Sequence, residues 1–163
     1  MGGLKSVQLT VHFLSRELER FRLWYTIFMI VYTTEVDSIS PKQLKGFFVG
    51  WEKHPTVERH LDILKGSDEV FLALDNETDN VIGFITAITD GVLSAYIPLL
   101  EVLPNYQHKG IGNELVTQML DKLKMFYMVD LLCDSDLQDF YTGLGMQKTS
   151  GMELRNYKHQ RGE

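Results

Sequence analysis

Residues 107–112 have the sequence Gln-His-Lys-Gly-Ile-Gly and lie between two segments of different periodicity. An extended apolar run, residues 97–103, precedes them, and an amphipathic helical pattern, residues 113–125, follows them. A glycine loop between a strand and a helix brings several backbone N–H groups together at the positive end of the helix dipole. Gly110 and Gly112 lack the β-carbons that would keep a phosphate away from the backbone. The segment is therefore predicted to bind an anion, and a pyrophosphate in particular.

Two common phosphate-binding loops do not match this sequence. The dinucleotide-binding fingerprint has a third glycine near the position of Leu115. The ATP-binding loop ends in Gly-Lys followed by Ser or Thr, whereas Gly112 is followed by Asn113 and Glu114. A loop of this kind also serves as a flexible turn that only begins a helix, and the loop alone does not separate the two interpretations.

The residues around the loop resemble the acyl-CoA signature of a known family. Residues 102–112 read Val-Leu-Pro-Asn-Tyr-Gln-His-Lys-Gly-Ile-Gly, which is similar to Val-x-Pro-x-x-Gln-x-x-Gly-x-Gly of the GNAT superfamily of N-acyltransferases. At the expected distance, residues 140–146, Phe-Tyr-Thr-Gly-Leu-Gly-Met, resemble the Phe-Tyr-x-x-x-Gly-Phe segment of that family. The resemblance extends over residues 30–157 and implies an acetyl-CoA-dependent N-acetyltransferase.

Periodicity predicts the element order β-αα-βββ-α-β-α-β, which is also the order of the family. The periodicity and the family resemblance both indicate an α+β (α/β/α) fold in which helices flank a mixed, mostly antiparallel central sheet. The resemblance further implies that two strands splay apart at the CoA site. The predicted strands are residues 30–36, 69–74, 81–89, 92–103, 127–133, 146–149 and 152–157. The predicted helices are one that begins at Ser40 and carries Trp51, one between Pro55 and Gly66, and residues 113–125 and 136–144.

Length and composition predict one globular domain with a proper core, since 44% of the 163 residues are apolar and 23% are charged. The net charge of −6, without any basic block, argues against a nucleic-acid partner. The single cysteine, Cys133, excludes an intrachain disulfide and favours a reducing, cytoplasmic location. No apolar run reaches the ~20 residues that span a bilayer, so no membrane partner is expected. No metal is expected either.

Residues 1–28 lie outside the resemblance and are interpreted as an N-terminal amphipathic extension to a domain of residues 29–163. Met29 stands directly before the first predicted strand, so the extension is either native or an upstream mis-start. A targeting segment is disfavoured because Glu17 and Glu19 are acidic. The apolar residues near helical spacing are Leu14, Leu18, Phe21, Trp24, Tyr25 and Phe28.

Acyl transfer requires that the thioester carrier is held, its carbonyl polarised, the amine neutral and the leaving thiolate protonated. The resemblance implies that the backbone of residues 100–102 pairs with the pantetheine arm and that the N–H of Val102 polarises the carbonyl. It also implies that the amides of residues 108–113 hold the pyrophosphate. Tyr141 is the proton donor by the same resemblance, and a phenol suits that task because it stays protonated at neutral pH.

The sequence offers several alternatives for the general base. Glu101 lies in the apolar run beside the expected reaction centre, where a carboxylate needs a partner or a task. Strand alternation also allows Glu101 to face solvent. Glu58 and His60, on the expected acceptor wall, are weaker candidates, and water alone is a further alternative.

The same acceptor wall carries an aromatic group. The resemblance implies that the first two helices form this wall, and Phe47, Phe48 and Trp51 lie on the first of them. Aromatic side chains at helical spacing usually pack into a core. Core packing is therefore expected for at least two of the three.

Two residues differ from those of many family members, and a third offers an alternative mechanism. Many members have an asparagine at the position of Asp134, and an ionised acid cannot donate a hydrogen bond, so that CoA contact is open. Val129 stands where members that acetylate protein N-termini carry a glutamate, which argues against that branch. Cys133 as an acyl-carrying nucleophile is disfavoured, because a strand thiol without an activator is usually inert.

The sequence thus predicts acetyl transfer from acetyl-CoA to a primary amine of a small molecule by direct attack in a ternary complex. A protein-lysine acetyltransferase and a non-catalytic CoA-binding sensor are the alternatives. A homodimer is the expected assembly. The predicted catalytic residues are Tyr141 and Glu101. The predicted cofactor-binding residues are Leu100, Glu101, Val102, Gln107, His108, Lys109, Gly110, Ile111, Gly112, Asn113, Asp134 and Tyr141.

Overall fold

The structure is a computed structural model that describes residues 30–162; the predictions for residues 1–28 lie outside the described residues. Five strands are present in that range: β1 (Ile30–Thr33), β2 (Glu69–Asp75), β3 (Asn80–Thr89), β4 (Ser94–Val102) and β5 (Met128–Leu131). The α-helices are α1 (Val57–Gly66), α2 (Ile111–Leu123) and α3 (Gln138–Gly143). No described helix is long and apolar enough to cross a bilayer.

The strands form one sheet in the order β1-β2-β3-β4-β5. Strands β1 to β4 pair antiparallel through short connections, and β5 pairs parallel with β4. A parallel pair needs a crossover, which α2 provides. The predicted mixed, mostly antiparallel sheet with flanking helices is therefore confirmed.

Each face of the sheet carries its own core. Helix α2 places its apolar residues three to four positions apart, so one stripe of the helix meets the sheet, and Leu115, Met119 and Leu123 are fully buried there. On the other face, α1, through its buried Leu64, and the chain before it pack on Phe84 of β3. The layers α/β/α follow directly from these two apolar contacts.

The first predicted helix is wrong. The capping box at Ser40 forms, with its N–H donating to Gln43 Oε1 at 2.9 Å, but only the 3-10 turn Pro41–Gln43 follows it. Gly46, Phe48 and Gly50 then adopt φ values of 90°, 62° and 84°, which no helix accommodates. As expected, two of the three aromatic residues are buried, whereas Trp51 is 40% exposed.

The closing hairpin at residues 146–149 and 152–157 is also wrong, since no strand follows β5 among the described residues. Gly145, with φ of 92°, ends α3 as predicted, and its N–H donates to the carbonyl of Thr142. Met152 and Leu154 are 98% and 97% exposed. Alternation alone therefore misled the prediction, because no apolar surface covers these side chains.

His60 is buried at 1% exposure against aromatic rings, with its centroid 4.5 Å from that of Phe84. Neither ring nitrogen makes a hydrogen bond of standard geometry within the described residues. Burial lowers the pKa of His60 to about 4, and the backbone of Leu44 acts weakly in the opposite direction. The imidazole is therefore neutral in the folded protein.

This depressed pKa makes stability depend on pH. Below about pH 6.5 the unfolded chain protonates His60 while the folded chain does not, so the free energy of unfolding falls by up to about 3 kcal/mol towards pH 4. We expect His60→Leu to flatten this decline in urea unfolding measured between about pH 7 and pH 4.5. The exposed His54 is the control: His54→Gln should leave the decline intact. An equally steep decline in His60→Leu would contradict the assignment.

Candidate active site

A cavity of about 480 Å³ opens where β4 and β5 separate. The two strands pair only from Ser94 with Met128 to Ile97 with Leu131, while β4 continues to Val102. Pro98 follows the last pair, and its missing N–H ends the possibility of further pairing at that residue. The splayed strands predicted at the site are thus observed.

Backbone N–H groups of β4 face this gap. The N–H of Leu103 donates to the carbonyl of Ile82 at 2.9 Å, on the β3 side. Because successive residues of a strand point to opposite sides, the N–H groups of Leu100 and Val102 point away from β3 and into the gap. The carbonyl of Val102 accepts a bond from Gln107 Nε2 at 2.9 Å. Gln107 therefore ties the glycine loop to the open strand.

The loop leads directly into the N-terminus of α2. His108 and Gly110 have φ values of 58° and 85°, and the first intrahelical hydrogen bond joins the N–H of Glu114 to the carbonyl of Gly110. The N–H groups before that bond have no partner within the helix. A β-carbon on Gly112 would lie 3.8 Å from Val102 Cγ2 and 3.9 Å from Phe140 Cζ. The two sequence motifs therefore meet at Gly112.

A partly buried hydrogen bond connects the loop to the sheet. The hydroxyl of Tyr106 donates to Asp75 Oδ2 at 2.6 Å, and Lys109 Nζ lies 4.8 Å from the centroid of the Tyr106 ring. This bond lowers the pKa of Asp75 and raises that of Tyr106. The 3-10 turn Pro104–Tyr106 is thus fixed to the end of β2.

Tyr141 lies on α3 and lines the cavity beside Cys133. Its side chain is 8% exposed. Burial raises the pKa of the Tyr141 phenol to about 12, and coulombic repulsion from nearby Cys133 acts in the same direction. The phenol therefore keeps its proton throughout the neutral range.

Glu101 lies on β4 and lines the same cavity as Tyr141, although the two residues belong to different sequence motifs. Its Oε2 accepts from the N–H of Phe48 at 2.8 Å, and its Oε1 accepts from the N–H of Val49 at 3.0 Å. The carboxylate is therefore turned to the loop before α1 and is not turned out to solvent.

The predicted site residues divide into two groups. Those lining the cavity are Leu100, Glu101, Gln107, Asp134 and Tyr141. Those of the loop and helix start lie beside it: Val102, His108, Lys109, Gly110, Ile111, Gly112 and Asn113. Ile111 is 1% exposed in the core, so only its backbone is available to a ligand.

Several lining residues were not predicted from the sequence. Glu153 and Arg155 line the far wall and form an ion pair at 3.0 Å, although their segment was expected to be a hairpin. Val49 and Pro98 line the cavity as well. The two further base candidates fall outside it: His60 lies behind Phe48, and Glu58 is exposed on α1. The described residues contain no cluster of three or more His, Cys, Asp or Glu suited to a metal ion.

Comparison with known protein families identifies the family of this chain. The Acetyltransferase (GNAT) family pattern matches residues 36–146, more than half of the chain. The chain therefore belongs to the GNAT acetyltransferase family.

Solved structures and curated relatives agree with this assignment. A candidate acetyltransferase from Deinococcus radiodurans R1 is 42% identical, with a TM-score of 0.78 over 81% of this chain and 92% of that one. The GNAT family protein SP0256 from Streptococcus pneumoniae TIGR4 is 30% identical, with a TM-score of 0.64 over 78% and 98%. The uncharacterized N-acetyltransferase ycf52 of Pyropia yezoensis is 27% identical over 61% of this chain. The match spans 59% of the length of the curated relatives.

The brace between Tyr106 and Asp75 predicts a measurable loss of stability. Tyr106→Phe removes the hydroxyl and leaves a poorly exposed carboxylate without that donor, so the free energy of unfolding should fall by about 1–3 kcal/mol. Urea unfolding at neutral pH measures the difference. Tyr127→Phe is the control, because Tyr127 is 83% exposed, and it should change little. Equal effects of the two substitutions would show that the brace contributes nothing.

Proposed function

We propose that the chain is an acetyl-CoA-dependent N-acetyltransferase that transfers an acetyl group to a primary amine of a small molecule. The observation that carries the proposal is the position, at both ends of one site, of N–H groups that have no partner within residues 30–162. Those of Leu100 and Val102 face the gap between β4 and β5, and those at the start of α2 lie beside Gly112. This arrangement suits a ligand with an amide-rich arm at one end and phosphates at the other.

Residues of the chain fit the parts of acetyl-CoA in order. Residues 100–102 would hold the pantetheine arm as an added strand, and residues 108–113 would hold the pyrophosphate at the helix start. A β-carbon at Gly112 would make only ordinary van der Waals contacts with Val102 and Phe140, so the packing of strand and helix does not require glycine there. The N–H of Val102 would donate to the thioester oxygen, where negative charge develops during attack.

Tyr141 is the proposed proton donor to the leaving thiolate. It lines the cavity, and burial, which raises its pKa to about 12, keeps the hydroxyl protonated and able to donate to the sulfur as negative charge develops there. Complete transfer to a thiolate, whose thiol has an ordinary pKa of about 8.5, is uphill, so the phenol must regain a proton from the one that the amine releases. Direct attack, without an acyl-enzyme intermediate, needs the amine and the thioester in the same cavity, so the proposed mechanism is a ternary complex. The role of Glu101 as the base stays a prediction, and its two hydrogen bonds to the loop before α1 support a different role.

The residues that line the cavity support the proposed class of acceptor. Asp134 and Glu101 bring carboxylates to its lining, beside the ion pair of Glu153 with Arg155, and carboxylates attract an ammonium group before it loses its proton. Trp51 and Phe48 add apolar surface. A cytoplasmic homodimer remains the proposed state of the protein. A protein-lysine acetyltransferase and a CoA-binding sensor are the alternatives that the experiments below distinguish.

The first experiment tests ligand binding at the loop. Acetyl-CoA should raise the melting temperature of the protein, because a ligand that binds only the folded state stabilises it. Gly110→Val should abolish this shift, since a β-branched residue cannot easily adopt φ of 85°. No atom lies within 4 Å of the added β-carbon, so the effect is conformational. An intact shift in Gly110→Val would place the acetyl-CoA site elsewhere.

The second experiment tests turnover and the role of Tyr141. Thiol release should occur with a panel of primary amines, and Tyr141→Phe should lower kcat by roughly 10²-fold while the acetyl-CoA melting shift stays. A matched control is Phe140→Leu, which changes the neighbouring ring without removing a proton. Thiol release from protein lysines and not from small amines would favour the lysine acetyltransferase. Binding without any thiol release would favour the sensor.

A further inference from the structure

We propose that Glu101 is a positioning residue, whose carboxylate holds residues 46–51 in the shape that forms the acceptor wall. These residues are called the acceptor loop here. The inference rests on the proposed function and refines it, because it replaces the base at this position with a determinant of acceptor specificity. Glu101 would therefore act by positioning the acceptor loop, and it would not take up the proton of the amine.

The contacts are two hydrogen bonds from consecutive amides. Oε2 accepts from the N–H of Phe48 at 2.8 Å and Oε1 from the N–H of Val49 at 3.0 Å, 53 and 52 residues away along the chain. Hydrogen bonds to an ionised acceptor are stronger than neutral ones. Two parallel bonds also fix the orientation of the carboxylate. A base must direct an oxygen lone pair at the proton of the amine, whereas each oxygen of Glu101 already accepts a hydrogen bond from the loop.

The acceptor loop depends on such a partner. Gly46, Phe48 and Gly50 have left-handed φ values, and this conformation is costly for Phe48, which carries a bulky side chain. The loop belongs to no helix or strand, so its amides lack the partners that regular structure provides. Glu101 supplies partners for two of these amides and offsets the strain at Phe48.

The shape of the loop places an aromatic surface in the cavity. The Phe48 ring centroid lies 4.9 Å from that of His60, within the core, and 5.2 Å from that of Trp51. Phe48, Val49 and Trp51 all line the cavity. Trp51 is 40% exposed, so part of its ring is available to a ligand. The acceptor class that fits is a primary amine with an apolar, preferably aromatic, group close to the amine.

Steady-state kinetics separate a loop-holding role from a base. With 2-phenylethylamine as the probe, Glu101→Gln should raise the acceptor KM by about tenfold or more and change kcat by less than about threefold. The acidic limb of the pH profile of kcat should remain, and so should the acetyl-CoA melting shift. With n-propylamine, which lacks the aromatic group, the rise in KM should be smaller. A fall in kcat of about 10²-fold with loss of the acidic limb would identify a base and overturn the proposal.

Two further variants make the comparison specific. Gly50→Ala disturbs the same loop without touching Glu101, because φ of 84° disfavours alanine while no atom lies within 4 Å of the new β-carbon. It should reproduce the rise in acceptor KM. Glu52→Gln removes an exposed carboxylate next to the loop and outside the cavity, and it should leave both parameters unchanged.

A spectroscopic measurement tests the loop independently of turnover. In a Trp24→Phe background, Trp51 is the sole tryptophan, and its quenching by acrylamide reports the exposure of its ring. Glu101→Gln and Gly50→Ala should both increase quenching, whereas Glu52→Gln should not. Unchanged quenching in Glu101→Gln overturns the proposal even if no amine is a substrate. An inactive wild-type protein with the expected quenching would instead contradict the proposed function.

Discussion

The separation of β4 from β5 is the constraint on which the site depends. The strands pair as far as Ile97 and Leu131, and Pro98 then withholds the N–H that a continued ladder would use. Beyond this point β4 keeps its bonds to β3 on one side only, so the N–H groups of Leu100 and Val102 on its other edge have no partner among the described residues. Buried amides need partners, and an open strand edge inside a protein is therefore prepared for an extended ligand.

The second half of the site is joined to this edge by short contacts. Gln107 links the glycine loop to the carbonyl of Val102, and Tyr106 links the same loop to Asp75 at the end of β2. The start of α2 thus has a fixed place relative to the open strand. Glu101 does the same for the acceptor loop on the other side of β4. In the proposed function, side chains of one strand and its loop therefore position both substrates.

Local features of this protein could be predicted from the sequence, and features that depend on distant partners could not. The loop at residues 107–112 and the apolar stripe of α2 could be predicted, because the residues that indicate each feature lie close together in the sequence. The acceptor loop was misread because Leu44, Phe47 and Phe48 have the spacing of a helix, whereas Gly46 and Gly50 break it. The partners of Glu101 lie more than 50 residues away, so no local pattern indicates them. The cavity-lining residues after α3 were missed for the same reason.

Amide hydrogen exchange, followed residue by residue with and without CoA, tests the central claim most directly. The amides of Leu100 and Val102, and those of residues 111–113, should exchange readily in the free protein and become protected together when CoA binds. The amide of Leu103, already bonded to Ile82, should be protected in both states. If CoA binds while the amides of Leu100 and Val102 exchange at an unchanged rate, the open strand edge is not its site.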